Sequence, residues 1–240
     1  MIWNIGERTR VLQAIYDLSN YYDIIVSALA EKKTVSEIAE DARAQDCNEV
    51  VHLCENPKKA RPKCYNGLMF LAAQKGCIET LRQCKRYGAD HQSLAMHKAA
   101  KNGHIEIMEL CAKWTNRPDF DEAMSNACMK GRVEVAKRCK ELGATAFASA
   151  LLVALNRNHI DCVLLCKHWA LTCGKPISDL RHIVEESMPT VAYRGHIEAM
   201  KLCKKWGKTF DFDEMMVEAA RGGNLDAVKL CIKWGGHEFW

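Results

Sequence analysis

The sequence predicts an all-α solenoid of about seven stacked helix–turn–helix units, with almost no strand. Two observations carry this. "HKAAKNGHIEIMELCAKW" (97–114) and "VEAARGGNLDAVKLCIKW" (217–234) are one pattern written twice, and three columns of residues hold the same phase along most of the chain. Cys54, Cys84, Cys111, Cys139, Cys166, Cys203 and Cys231 are spaced 30, 27, 28, 27, 37 and 28 residues apart. Five residues before each stands an acid: Glu49, Glu79, Glu106, Glu134, Asp161, Glu198 and Asp226. Three before each acid stand Asp46, Gly76, Gly103, Gly131, Asn158, Gly195 and Gly223.

Each column has a physical reading. The Gly column ends a first helix, because the residue after a helix C-terminus adopts a left-handed backbone that Gly reaches at little cost. Asn158 and Asp46 are of the non-Gly types that tolerate it best. The acid column falls in the first turn of a second helix, where the helix dipole favours negative charge. A second Gly column, Gly88, Gly143, Gly207 and Gly235, ends that second helix. In the unit around Cys111 the second helix is apolar at Ile105, Ile107, Met108, Leu110, Cys111 and Trp114, an arc too wide for a surface helix. A unit of this kind buries its faces only by stacking.

In chain order, residues 7–32 are expected to be helical, with apolar Val11, Leu12, Ile15, Leu18, Ile24, Ile25 and Leu29. Residues 1–33 form either an N-terminal helical cap or an eroded repeat, and residues 34–240 a single continuous repeat array. A worn unit at 34–56 opens on a Thr34-x-x-Glu37 capping box. Six more follow at 66–88, 93–115, 121–143, 148–170, 177–207 and 213–235. The unit at 177–207 carries about nine extra residues. There "ISDLRHIVEES" is expected to form an extra helix, and a short helix to start near Pro189, where Pro is tolerated in a first turn.

"HKAAKNGHIEIMEL" resembles the core of the ankyrin repeat, His-x-Ala-Ala-x-x-Gly-His-x-Glu followed by apolar residues and Leu. "RYGAD" at 86–90 is similar to the Gly-Ala-Asp that follows the second ankyrin helix. The likeness spans about residues 34–236. Two departures stand out. "FDEAM" (120–124) and "FDEMM" (212–216) replace the family's Thr-Pro, and the shorter period leaves little room for the β-hairpin finger. The Leu-Cys-Lys-x-Trp-Gly form of "KLCKKWG" (201–207) resembles the divergent ankyrin-like repeats of giant DNA viruses, marseillevirus-type ones especially.

Composition limits the function classes. The apolar fraction is 48%, the charged fraction 27% and the net charge +4, values of a folded chain. No apolar run reaches the roughly 18 residues of a membrane helix. The opening residues lack the pattern of a signal peptide, so a reducing compartment is expected: the cytoplasm, host cytosol if viral, with the nucleus left open. Thirteen Cys without a Cys-x-x-Cys pair point away from disulfides and from zinc. The Cys column reads as small buried apolar residues. The column His104, His159 and His196 reads as structural, since no triad partner recurs with it. The column Trp114, Trp169, Trp206 and Trp234 reads as filling between units, with base stacking as the competing use. The basic run "NPKKARPK" (56–63) reads as a solvated loop. No phosphate loop, dinucleotide fingerprint or hydrolase motif occurs, so no catalytic residue, cofactor or metal is assigned and an enzyme is not expected.

The resemblance implies a protein-binding module whose partner is a host or viral protein. By analogy with ankyrin repeats, the first helices and the loops before them form the partner face, with Lys98, Lys101, Asn126, Met129, Glu218 and Arg221 on it. The alternative is a nucleic-acid-associated or virion structural protein. It would use the basic part of the chain, since residues 61–240 hold 27 Lys/Arg against 20 Asp/Glu, or +7. A membrane partner is not expected. The final unit keeps Leu225, Val228, Leu230, Cys231 and Trp234. Leu230, Trp234, Phe239 and Trp240 are therefore expected to form an association surface at the C-terminal face, for a second copy or a partner.

Overall fold

A computed structural model describes residues 62–174 and 176–236, together with residues 37 and 40, which lie in helix. The N-terminal cap, all of the worn unit apart from Glu37 and Glu40, most of the basic run, and Phe239 and Trp240 lie outside the described residues. Among the described residues from Pro62 onward there are twelve α-helices, and no described residue is in a strand: α1 Pro62–Lys75, α2 Ile78–Arg86, α3 Gln92–Asn102, α4 Ile105–Lys113, α5 Phe120–Met129, α6 Val133–Glu141, α7 Phe147–Asn156, α8 Ile160–Thr172, α9 Ile177–Tyr193, α10 Ile197–Trp206, α11 Phe212–Arg221 and α12 Leu225–Trp234. None of these helices is long and apolar enough to cross a membrane.

The described chain divides into two compact units, residues 62–99 with 106–118, and residues 100–105 with 119–236. In the first, α1 packs on α2. Its core includes Tyr65, Met69, Leu81, Cys84, Met96, Met108 and Cys111, each almost fully enclosed. In the second, α5 pairs with α6, α7 with α8, α9 with α10, and α11 with α12. The first helices of these pairs also pack in succession, α5 on α7, α7 on α9, and α9 on α11.

The columns do what their chemistry dictates. Gly76, Gly103, Gly131, Gly195 and Gly223 have φ between 66° and 96°, and Asn158 has φ 60°. Beyond them the chain closes a six-to-one hydrogen bond onto the first helix, as in Arg132 N–H to Ala127 O and His159 N–H to Ala154 O. Second helices close in the same way on the Cys column. The amides of Ala89, Ala144 and Gly236 donate to the carbonyls of Cys84, Cys139 and Cys231. The acids Glu79, Glu106, Glu134, Asp161, Glu198 and Asp226 all sit in a first turn.

Gly207 ends α10, as its column leads one to expect, with φ −79° and ψ 172°, an extended backbone. A side chain there would collide with the ring of Phe210, so bulk, not backbone handedness, selects Gly. Pro189 corrects an expectation. No short helix starts there; α9 runs unbroken from Ile177 to Tyr193 with Pro189 inside it. An internal Pro costs about 3 kcal/mol. One face of α9 buries Leu180, Val184, Met188 and Val191, at roughly 1.5–3 kcal/mol for each large apolar side chain, which outweighs that penalty.

Two local devices escaped the sequence reading. Asp119 accepts a hydrogen bond from Glu122 N–H, and Asp211 from Asp213 and Glu214 N–H. The "FDE" departures are thus Asp-capped starts, a chemical substitute for the missing Thr. The second device is a clamp ten residues before the Gly column. Asn66 accepts from the amides of Asp90 and His91, Asp121 from Thr145 and Ala146, and Glu185 from Lys208 and Thr209. Each side chain on a first helix ties down the loop that leaves its own second helix. The Glu185 carboxyl is held below its usual range by the Lys208 amide first, with burial opposing and the Thr209 amide assisting. Replacing Asp121 with Ala removes two of these bonds and should lower stability by about 1–2 kcal/mol, read as a shift in urea midpoint at unchanged m-value.

Candidate functional site

The residues assigned to a partner face occupy two positions on each first helix, five and two before the Gly column. Lys98 and Lys101 lie on α3, Asn126 and Met129 on α5, Glu218 and Arg221 on α11, and all but Arg221 are half-buried. Several are engaged within their own helix or unit. Arg221 pairs with Glu218 at 2.7 Å. The Asn126 amide donates to the Glu122 carbonyl and carboxylate. The Lys98 ammonium lies 4.3 Å from the centre of the Phe70 ring.

The same register marks residues the sequence reading passed over: Val153 and Asn156 on α7, Thr190 and Tyr193 on α9. Tyr193 is 48% exposed. A shared offset from Gly131, Asn158, Gly195 and Gly223 was the signal that could have found them. On α5, α7, α9 and α11 the two columns therefore read Asn126, Val153, Thr190, Glu218 and Met129, Asn156, Tyr193, Arg221. The two columns thus mix amide, aliphatic, hydroxyl and aromatic side chains with one ion pair, Glu218 with Arg221.

The backbone beneath these columns is fixed by the next unit in the stack. His159 Nε2 lies 3.1 Å from Met129 O, Arg194 Nη1 donates to Asn156 O at 2.8 Å, and Asn224 Nδ2 donates to Tyr193 O at 2.6 Å. His159 thereby has a structural task. His196 is half-buried, and burial, with Arg194, Arg157 and His159 adding, lowers its pKa.

Comparison with protein-family models finds no match for this chain, and comparison with curated proteins finds none either.

The tryptophan column is covered by lysines. Lys85 lies over Trp114 at 5.9 Å, Lys140 over Trp169 at 5.3 Å, Lys167 over Trp206 at 3.8 Å and Lys204 over Trp234 at 4.6 Å. Each lysine directly follows a column Cys, and each ring belongs to the next unit along the chain. Trp169 also packs on Phe147, and Trp234 on Phe212. These rings are joints between neighbouring helix pairs, with a cation on one face. Leu230 and Trp234 are both half-buried.

The cysteine column is enclosed, with Cys84, Cys111, Cys139, Cys166, Cys203 and Cys231 at 0% exposure. Burial pushes the Cys139 and Cys203 thiols up to about 12. Cys111 reaches about 12 as well, burial outweighing the charge of Lys85. Cys128, on α5, meets Cys166 at 3.7 Å between sulfurs. Among the described residues no set of three or more His, Cys, Asp or Glu is placed to hold a metal ion.

Proposed function

We propose that the chain is a non-enzymatic protein-interaction scaffold of about seven ankyrin-like repeats, of the divergent kind found in giant DNA viruses, and that it engages a host or viral protein. The observation that carries this reading is the pair of side-chain columns on the successive first helices α5, α7, α9 and α11, on a backbone fixed from unit to unit. A stacked array of this sort offers an extended surface that needs no catalytic group. Ankyrin-like repeats without their β-hairpin fingers fit a period of 27–28 residues and the all-helical pairs. The lysine-covered tryptophans favour a protein partner over a nucleic acid, because stacking on bases needs an open ring face.

Affinity capture from host-cell extract tests the reading when it compares the full chain with an Asn126→Ala, Met129→Arg, Glu218→Ala, Arg221→Glu variant. The expected result is a protein retained by the parent and lost from the variant, whose helical circular dichroism is unchanged. The loss should be reproduced with the two purified proteins. If the retained species is instead nucleic acid, with affinity falling steeply with salt concentration, the alternative of a nucleic-acid-associated or virion structural protein takes its place, resting on the +7 balance of residues 61–240.

A further inference from the structure

The unit at 177–207 is longer than the other units among the described residues. Where other intervals between column cysteines are 27 to 30 residues, Cys166 to Cys203 is 37. The extra residues lengthen α8 to 13 residues and α9 to 17, against 9 or 10 for the other helices of this compact unit. The added turns open a groove of about 230 Å³ among α7, α8, α9 and α10. Leu151, Leu180 and Val184 are its buried floor. Leu171 and Trp206 line its walls, with Ile177, at 64% exposure, on the lip. A helical repeat needs neither the groove nor an isoleucine that open to water.

Among the described residues every charged position of the groove is cationic: its lining contains Lys167, Arg181 and Lys205 and no carboxylate. None of the three makes an ion pair among the described residues, and the Arg181 Nε is enclosed without a hydrogen-bond partner. Glu185, one turn along α9, accepts hydrogen bonds from the amides of Lys208 and Thr209 and feels the charge of Arg181 without pairing with it, and Asp179 is exposed on the first turn of α9. Lys167 carries a lowered pKa, from burial first and then from the like charge of Lys205; an anion placed between them would offset the repulsion. The volume falls below the roughly 300–1,000 Å³ of small-molecule pockets, and it suits one or two large side chains anchoring a peptide.

We propose that this groove seats an acidic amphipathic segment of a partner protein. One apolar side chain would rest on Leu171 and Ile177, and flanking carboxylates would meet Arg181, Lys205 and Lys167, which lies over Trp206. The proposal rests on the reading of the chain as a binding scaffold and adds a second site, with its own chemistry, away from the first-helix columns.

Selection of a displayed random-peptide library on the intact chain tests it. Enriched peptides should carry an apolar residue flanked by Asp or Glu. Their affinity, followed by fluorescence anisotropy, should fall about tenfold or more with Lys205→Glu and with Ile177→Asp, and should weaken as salt rises. Both positions are exposed, and circular dichroism verifies that the variants fold. Met129→Ala with Arg221→Ala should leave the same peptides bound as before, so failure of the first-helix face and failure of the groove are told apart. Enrichment of neutral or basic peptides would overturn the proposal. So would acidic peptides that bind Ile177→Asp and Lys205→Glu as tightly as the parent, or sedimentation showing a second copy of the chain displaced by Ile177→Asp in place of any peptide.

Discussion

Raising the pH from 9 towards 12 is expected to unfold the larger compact unit, residues 100–105 with 119–236, with its buried thiols as a principal cause. A thiol with an ordinary pKa of 9.0 is pushed by burial to about 12 at Cys139 and Cys203 and to about 11 at Cys231. Cys162 is raised as well, by its contact with Cys128 first and burial second. Cys128 is raised because the Cys166 contact and burial exceed the opposing pull of Cys162. A raised folded-state pKa means that the unfolded chain loses its protons first. Below pH 9 the thiols are protonated in both states and stability is insensitive to them. Above it, each such thiol lowers the unfolding free energy by about 1.4 kcal/mol per pH unit until its own folded value is reached. Cys139, Cys203 and Cys231 alone amount to about 4 kcal/mol per unit, close to the lower end of a typical domain's whole stability, roughly 5–15 kcal/mol. Urea midpoints measured from pH 7 to 11 should be flat and then collapse. A Cys139→Ala, Cys203→Ala chain should start lower and fall with a slope shallower by about two protons. Equal slopes for the two chains would show that the column thiols do not govern alkaline stability.

The columns were legible because each answers to a local demand that any unit must meet. Gly131 or Asn158 is required where φ is positive, Glu134 or Asp161 where a helix begins, and Cys139 or Cys166 where little volume is left between helices. The Lys–Trp joints were not, since they depend on which unit lies beside which. Yet the sequence holds a trace of them. Lys85, Lys140, Lys167 and Lys204 each precede a unit with Trp, while Ala112, in the lysine register, precedes the unit with Leu142. Pro189 misled because the local rule against an internal proline is weaker than four large apolar side chains buried along one helix. The first-helix columns were read on three helices and missed on α7 and α9, where Val153, Asn156, Thr190 and Tyr193 share the register but not the residue types. The groove was visible only as nine surplus residues. Which of them face solvent follows from how α8 and α9 lengthen, and periodicity does not carry that.

Gly131→Ala should destabilise the protein by clearly more than Gly223→Ala, although the two backbones are nearly the same, at φ +66° and +72°. Either substitution places a methyl group on a left-handed residue, at roughly 1–2 kcal/mol. Around Gly223 the methyl meets nothing within 4 Å, but at Gly131 it would stand 2.6 Å from His159 Nδ1. The ring cannot simply turn away, because its other nitrogen lies 3.1 Å from Met129 O across the stack. Moving it breaks that bond and leaves a carbonyl unsatisfied, adding about 1–3 kcal/mol. Truncating the ring removes the collision in advance. In a His159→Ala background, Gly131→Ala should cost no more than Gly223→Ala does, giving a coupling of about 1 kcal/mol or more between residues 131 and 159. Urea unfolding of the four chains measures it. Additive effects, or equal costs for the two glycines in the parent chain, would mean that backbone handedness alone selects Gly131 and that the histidine column does not hold the stack.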